Sequence, residues 1–441
     1  MRVKLLLASL ALAGAATAIP WPIPPTDAVH PVGNNWGEYQ DYGGGPYFHN
    51  GVDCLTPDTQ NVEVRAVAHG WVKGWGTIEA DLHYRLAVCD TNSSFTGRAP
   101  GWLYAHIDPD LPHKQLGDEV QPGEVIGRLV WWGMDATFDH IHFARISDTG
   151  ATWMRFPDVT WWFIENPMLS FQPNTDNVAP VFENARPGRR FAICRDNSST
   201  YQAATAVTGD VDIIARVYDE TGCSTGDPTW DRLAPYQVDY SIRSAGGTVV
   251  LPWTIAVQFS NRLDGSLVNV VYKADNTCRS EGDYWNRNYY FIITNNDGDS
   301  VIEASDANGR WASASVPDGD YWVLVRASDA VGNTTLDSML VTTDNGVGVE
   351  EVPLVALSRP LRAFPNPGPG PARISFGLVS EAMGTLRVID VAGRVVRTFG
   401  TGRFAAGDHA FTVRDLPPGV FRVELSLGDR DRYIGKLVIA R

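Results

Sequence analysis

The run His140-Ile141-His142-Phe143 alternates polar and apolar residues. In an extended strand, residues i and i+2 point to one face. Both imidazoles therefore project side by side, while Ile141 and Phe143 turn into a core. One ring of such a pair can ligate a metal ion while the other touches the water bound to it. Alone the pair is weak evidence, because nine histidines in 441 residues predict about 0.2 such pairs per chain by chance.

Working outward, further short apolar runs lie between glycine turns: Glu63 to Val67, Gly70 to Lys73, Tyr84 to Val88 and Trp102 to His106. Their length and spacing predict a mainly β, antiparallel domain. Eight of the nine histidines lie between His30 and His142, so the chemistry concentrates there. His49 and Asp53 form an H-x-x-x-D after Gly43-Gly44-Gly45, with Gly51 between them, which predicts a loop entering a strand. Two imidazoles and a carboxylate make a mixed nitrogen and oxygen donor set suited to Zn²⁺. Three protein ligands leave the fourth tetrahedral position to water, whose pKa zinc lowers from about 15.7 to roughly 7.

These pieces occur in the order that marks the lysostaphin/LytM-type zinc metalloendopeptidases. The order is His49-Asn50-Gly51-Val52-Asp53, then Tyr104-Ala105-His106-Ile107, then Gly117-Asp118-Glu119-Val120 through Gly123 to Ile126-Gly127, then His140-Ile141-His142-Phe143. Ala68-His69-Gly70-Trp71-Val72 and Asn166-Pro167-Met168 also resemble the family's flanking motifs, so the likeness covers about residues 45 to 170. The resemblance implies that His49, Asp53 and His142 are the ligands of one Zn²⁺. It implies that His106 and His140 are catalytic, as general base or as donors to the oxyanion. It further implies hydrolysis of peptide bonds in peptidoglycan stem or cross-bridge peptides. A silent wall-binding scaffold, or a zinc peptidase acting on secreted proteins, are the alternatives. The chain departs from the family at Met134 to Asp139, before the histidine pair, and at Ala144-Arg145 after it. These departures bear on substrate preference more than on metal binding.

The remaining histidines His30, His69, His83 and His113 read as structural or surface residues. Trp131, Trp132, Trp161 and Trp162 read as core packing. Asp329, Asn333 and Asp390 read as turn residues, since no dense run of alternating aspartates appears.

The formal charge of −15 argues against nucleic acid as a partner, because that needs basic patches. Arg2 and Lys4, the apolar run Leu5 to Ala15 and Ala16-Thr17-Ala18 read as a secretory signal peptide over residues 1–18. That places the mature chain in the periplasm, on the cell surface or outside the cell. No later run of 18 apolar residues predicts a transmembrane segment. Five cysteines leave at least one unpaired; a Cys54–Cys89 bridge, or one pair among Cys194, Cys223 and Cys278, is compatible with the sequence.

The expected organisation is a catalytic domain at 19–175, an immunoglobulin-like β-sandwich at 179–345 used as spacer or platform, a linker at 346–360 and a C-terminal module at 361–441. The last contains Phe364-Pro365-Asn366-Pro367, Val388-Ile389-Asp390-Val391-Ala392-Gly393-Arg394 and Leu416-Pro417-Pro418-Gly419-Val420-Phe421. It resembles immunoglobulin-like terminal modules that direct secreted bacterial proteins to outer-membrane secretion machinery, which implies a sorting or anchoring role.

Overall fold

The computed structural model describes residues 18–42, 44–57, 59–77, 84–133, 139–148, 152–157, 160–346, 357–427 and 431–440. Most of the expected signal peptide, His83, the run 134–138 and most of the 346–360 linker lie outside the described residues. The fold is mainly β, and the chain divides into two compact units, Met1–Gly346 and Val347–Arg441.

The first unit contains an eight-stranded antiparallel sheet. Its strand order is Val32–Asn34, Val52–Leu55, His140–Ile146, Gly101–Ala105, Arg85–Cys89, Gly70–Gly76 and Glu119–Val120, with Ile164–Glu165 added beside His140–Ile146. Alternation gives the sheet two faces. Val52, Cys54, Ile141, Phe143, Trp102, Tyr104, Leu86 and Val88 share one face and are buried in the core. Trp102 stacks on Phe143 with ring centroids 5.5 Å apart. Each such side chain contributes about 1.5–3 kcal/mol through burial. The other face carries Asp53, His140, His142, Ala105 and Arg85.

Residues 181–343 form a five-stranded and a four-stranded antiparallel sheet, centred on Asp210–Tyr218 and on Gln237–Ser244 with Gly319–Ser328. This part is not a spacer held apart from the first sheet. One continuous apolar cluster runs through both, from Ile19 and Phe143 to Phe259 and Val341. Polar contacts lock the two together. The Asn50 side chain donates to the Leu263 carbonyl (3.0 Å) and accepts from the Leu263 amide (2.8 Å). The Tyr272 hydroxyl donates to the Gly37 carbonyl at 2.8 Å. Gly37 has φ of 80°, and a Cβ there would lie 2.4 Å from the Phe259 ring, so the close approach requires glycine. No periodicity in the sequence announces this contact, because it is made by loops.

All five cysteines are unbridged. Cys54 and Cys89 sit on strands three steps apart in the sheet, which separates them by roughly 14 Å and rules out a bond between them.

The second unit is a β-sandwich with its own core. Three strands (Leu357–Phe364, Ala372–Leu378, Gly407–Val413) form one sheet, and four (Val395–Phe404, Ala382–Ile389, Gly419–Leu427, Asp431–Ile439) form the other. Ile374, Phe376, Leu386, Val388, Val423 and Leu425 fill the space between them.

Candidate metal centre

Strand register builds the centre. Asp53 lies directly opposite His142, and Asn34 lies opposite Asp53 on the next strand. On the other side His142 faces Ala105, which faces Arg85. One cross-strand row therefore reads Asn34, Asp53, His142, Ala105, Arg85, and all five line a cleft of about 540 Å³. His49 enters from the loop before the Asp53 strand. Its backbone is clamped by two hydrogen bonds, its amide to the Glu38 carbonyl (2.9 Å) and its carbonyl from the Gly37 amide (2.8 Å).

Three donor atoms converge. His49 Nε2 lies 3.1 Å from His142 Nδ1 and 3.2 Å from Asp53 Oδ2, and His142 Nδ1 lies 3.0 Å from Asp53 Oδ1. His49, Asp53 and His142 are all buried. His49 Nδ1 is 3.0 Å from the Asn35 carbonyl, an atom that only accepts, so Nδ1 holds a proton and Nε2 is the nitrogen left to face the centre. His142 Nε2 is buried without a hydrogen-bond partner among the described residues and is packed toward Gly51, while its Nδ1 faces the centre. A Cβ at Gly51 would lie 2.1 Å from His142 Cε1, which explains the glycine between His49 and Asp53.

The residues fit zinc. Bonds of about 2.0–2.1 Å to tetrahedral zinc set neighbouring donors roughly 3.3 Å apart. The observed triangle is close to that size. Its electrostatics call for positive charge. Burial alone would raise the pKa of Asp53, yet the imidazoles of His49, His140 and His142 hold it well below the usual carboxylate range. Burial alone would depress His49, but the Asp53 carboxylate, its hydrogen bond and Glu38 reverse this and raise it. His142 is pushed down to about 4 by burial, over the opposing pull of Asp53, and is neutral near pH 7.

His140 and His106 stand beside the triangle. His140 Nε2 is 3.6 Å from Asp53 Oδ2, and the His106 and His140 rings meet edge-on at 4.6 Å. His106 has φ of 66°, a left-handed conformation uncommon for a side chain of its size. Its backbone turns there as the strand ends, which aims the ring into the cleft. Trp132 stacks on His140 at 5.6 Å and Trp161 on His142 at 5.5 Å. The expectation that the four tryptophans pack in the core holds in part for Trp161, which packs partly buried against the core as well as on His142, and is corrected for the others: Trp132 frames His140, while Trp131 and Trp162 are 44% and 55% exposed. All four lie outside the regular strands of the sheet, so strand alternation does not govern them. His30, His69 and His113 stand apart from the centre, bonded to Pro25, Glu119 and Lys114 respectively.

Several cleft residues escaped the sequence reading. Trp230, Arg262, Leu263 and Tyr284 come from the 181–343 region and form a wall of the cleft. Asn34 and Arg85 belong to the row described above. Arg85 could have been found from alternation with Ala87, whereas no local signal marks the others.

Residues 362–440 match the family model described as a secretion system C-terminal sorting domain. No curated protein matches the chain. Among solved structures, LytU is 21% identical and covers 32% of this chain and 83% of its own, with a TM-score of 0.24. The catalytic domain of the antimicrobial peptidase lysostaphin from Staphylococcus simulans is 20% identical over 32% of this chain and 90% of its own, with a TM-score of 0.23. A catalytic-domain variant of the prophage-encoded M23 protein EnpA from Enterococcus faecalis is 17% identical over 31% and 88%, with a TM-score of 0.22. The C-terminal sorting domain marks this chain as a secreted or cell-surface protein.

Proposed function

We propose that the chain is a secreted zinc-dependent endopeptidase that hydrolyses peptide bonds in peptidoglycan stem or cross-bridge peptides. The observation that carries this reading is the convergence of His49 Nε2, Asp53 and His142 Nδ1 at the floor of an open cleft, with two further imidazoles alongside. His49, Asp53 and His142 would hold the zinc, which when bound would lower the pKa of a water so that it can attack at neutral pH. The chain's own groups then divide the remaining work. In this reading one of His106 and His140 takes a proton from the attacking water and the other donates to the developing oxyanion, and their place beside the triangle supports it. Trp132 and Trp161 hold the rings in place and shed water from the cleft. Arg85 and Arg262 give the cleft wall two cationic side chains suited to the carboxylates of stem peptides.

Purified protein is expected to carry one zinc per chain and to release cross-links from purified sacculi. His142→Ala should abolish both zinc and hydrolysis. Sacculi and glycine-rich peptides assayed beside a secreted-protein substrate identify the true target; binding to sacculi without product would mean a scaffold instead. The C-terminal unit is proposed to act as the sorting signal. Deleting residues 357–441 should stop delivery to the cell surface and leave zinc-dependent hydrolysis intact.

A further inference from the structure

A second acidic cluster lies apart from the histidines. Asp176 belongs to the segment before the strand Val181–Glu183, Asp219 follows the strand Asp210–Tyr218, and Asp329 follows Gly319–Ser328. One carboxylate oxygen from each lies within 4.8 Å of those of the other two. Asp329 and Asn333 do serve the turn that the sequence suggested: Asp329 Oδ1 accepts from the amides of Val331, Gly332 and Asn333 at 2.7–2.9 Å. The turn does not account for Asp219. That residue is 3% exposed, and its Oδ1 is buried without a hydrogen-bond partner among the described residues. Burial and the negative charges of Asp329, Asp176 and Glu220 push its carboxyl toward the protonated form, against a backbone hydrogen bond at Glu220. Three carboxylates brought together, two of them out of water, repel one another, and an unpaired buried carboxylate oxygen is costly unless a cation or a proton meets it.

We propose that Asp176, Asp219 and Asp329 bind a calcium ion that ties the 172–180 segment to the two strand-end loops. The donors are all oxygens, with no nitrogen or sulfur, which disfavours zinc and favours a hard cation. Calcium takes six to eight oxygens at 2.3–2.6 Å, so two donors across one ion can lie roughly 5 Å apart, and the cluster falls inside that span. Magnesium demands a near-ideal octahedron and keeps several waters, which a site with two of its three carboxylates buried accommodates poorly. A calcium site of this kind on an exported chain works in the range of about 10⁻⁴–10⁻³ M expected for extracellular modules. Bound calcium neutralises the cluster and staples the segment that leads from the histidine-bearing sheet into the sandwich.

The test is calorimetric titration of calcium into the full-length, zinc-loaded protein at pH 7.5, with magnesium as the second arm, together with thermal unfolding. One calcium per chain should bind with submillimolar affinity and raise Tm by several degrees, and magnesium should do much less. Asp219→Asn should remove the calcium-dependent rise while zinc content stays at one per chain. Asp176 is less buried, and Asp176→Asn should weaken calcium binding at least tenfold, which provides a readout should the Asp219 variant fold poorly. Absence of calcium binding to the unaltered protein, or equal binding by both variants, would overturn the site. So would an equal response to magnesium. A cluster that is stabilised only by lowering the pH, with no effect of calcium, would show that protons fill it instead.

Discussion

Asn34 Nδ2 donates to Asp53 Oδ2 across 2.6 Å, from the neighbouring strand of the same sheet. Asn34 is itself oriented from outside that sheet. Arg287, buried in the 181–343 region, donates through Nη2 to Asn34 Oδ1 at 2.7 Å and through Nη1 to the Gly33 carbonyl. The guanidinium fork thus sets which way the Asn34 amide points, and the amide sets the lone pairs that Asp53 has left for a metal. A region that carries none of the three converging donors of the histidine centre therefore orients one of them.

Partners of this kind typically tune metal affinity by 10–100-fold. Asn34→Ala is expected to weaken zinc binding by about that factor, measured by competition with a chelator. Arg287→Lys should not preserve wild-type affinity, because a single ammonium lacks the planar fork that reaches both the Gly33 carbonyl and Asn34. Wild-type zinc affinity in both variants would show that the relay is without consequence for the centre.

His106 and His140 should separate from the three ligands in a metal assay. His106→Ala and His140→Ala are each expected to keep zinc while lowering kcat by about 10²–10⁴-fold, the usual contribution of a positioned proton-transfer group. Because His106 adopts a left-handed backbone conformation, His106→Asn should be more stable than His106→Ala while equally inactive. Zinc loss in either alanine variant would move that residue into the ligand set.

Gly51 gives a sharper steric test. A Cβ there would overlap the His142 ring at 2.1–2.2 Å, and the ring is held by Asp53 and Trp161 rather than free to swing. Gly51→Ala should therefore displace His142 Nδ1 and reduce zinc content, although no donor atom is removed. Unchanged zinc stoichiometry and activity in that variant would mean the ring relaxes without cost.

Glu38 predicts a pH dependence of stability. Burial pushes its carboxyl from 4.5 up to about 7, over the opposing charge of Arg287. The folded state thus keeps a proton that the unfolded chain releases. The associated stability is fully present below about pH 4.5 and is lost as pH rises through 7, about 3 kcal/mol in all. Glu38→Gln retains an acceptor for the Ala234 amide, which Glu38 Oε1 meets at 3.1 Å. Chemical denaturation between pH 5 and 8 should show a flatter profile for the variant; parallel profiles would assign the dependence to other groups.

The sequence by itself determined the mainly β character, since alternation in runs such as His140-Ile141-His142-Phe143 is a local property with a period of two. It also singled out the five residues of the centre, because ordered motifs survive without knowledge of how the chain closes. Tertiary structure alone decided what surrounds them. Register sets Asn34 and Arg85 in one row with Asp53 and His142, and register depends on pairing between distant strands. The wall formed by Trp230, Arg262 and Tyr284, the relay from Arg287 and the meeting of Asp176, Asp219 and Asp329 join residues tens to hundreds of positions apart through loops, which carry no periodic signal. Contacts of that kind arise only when two sheets share one core.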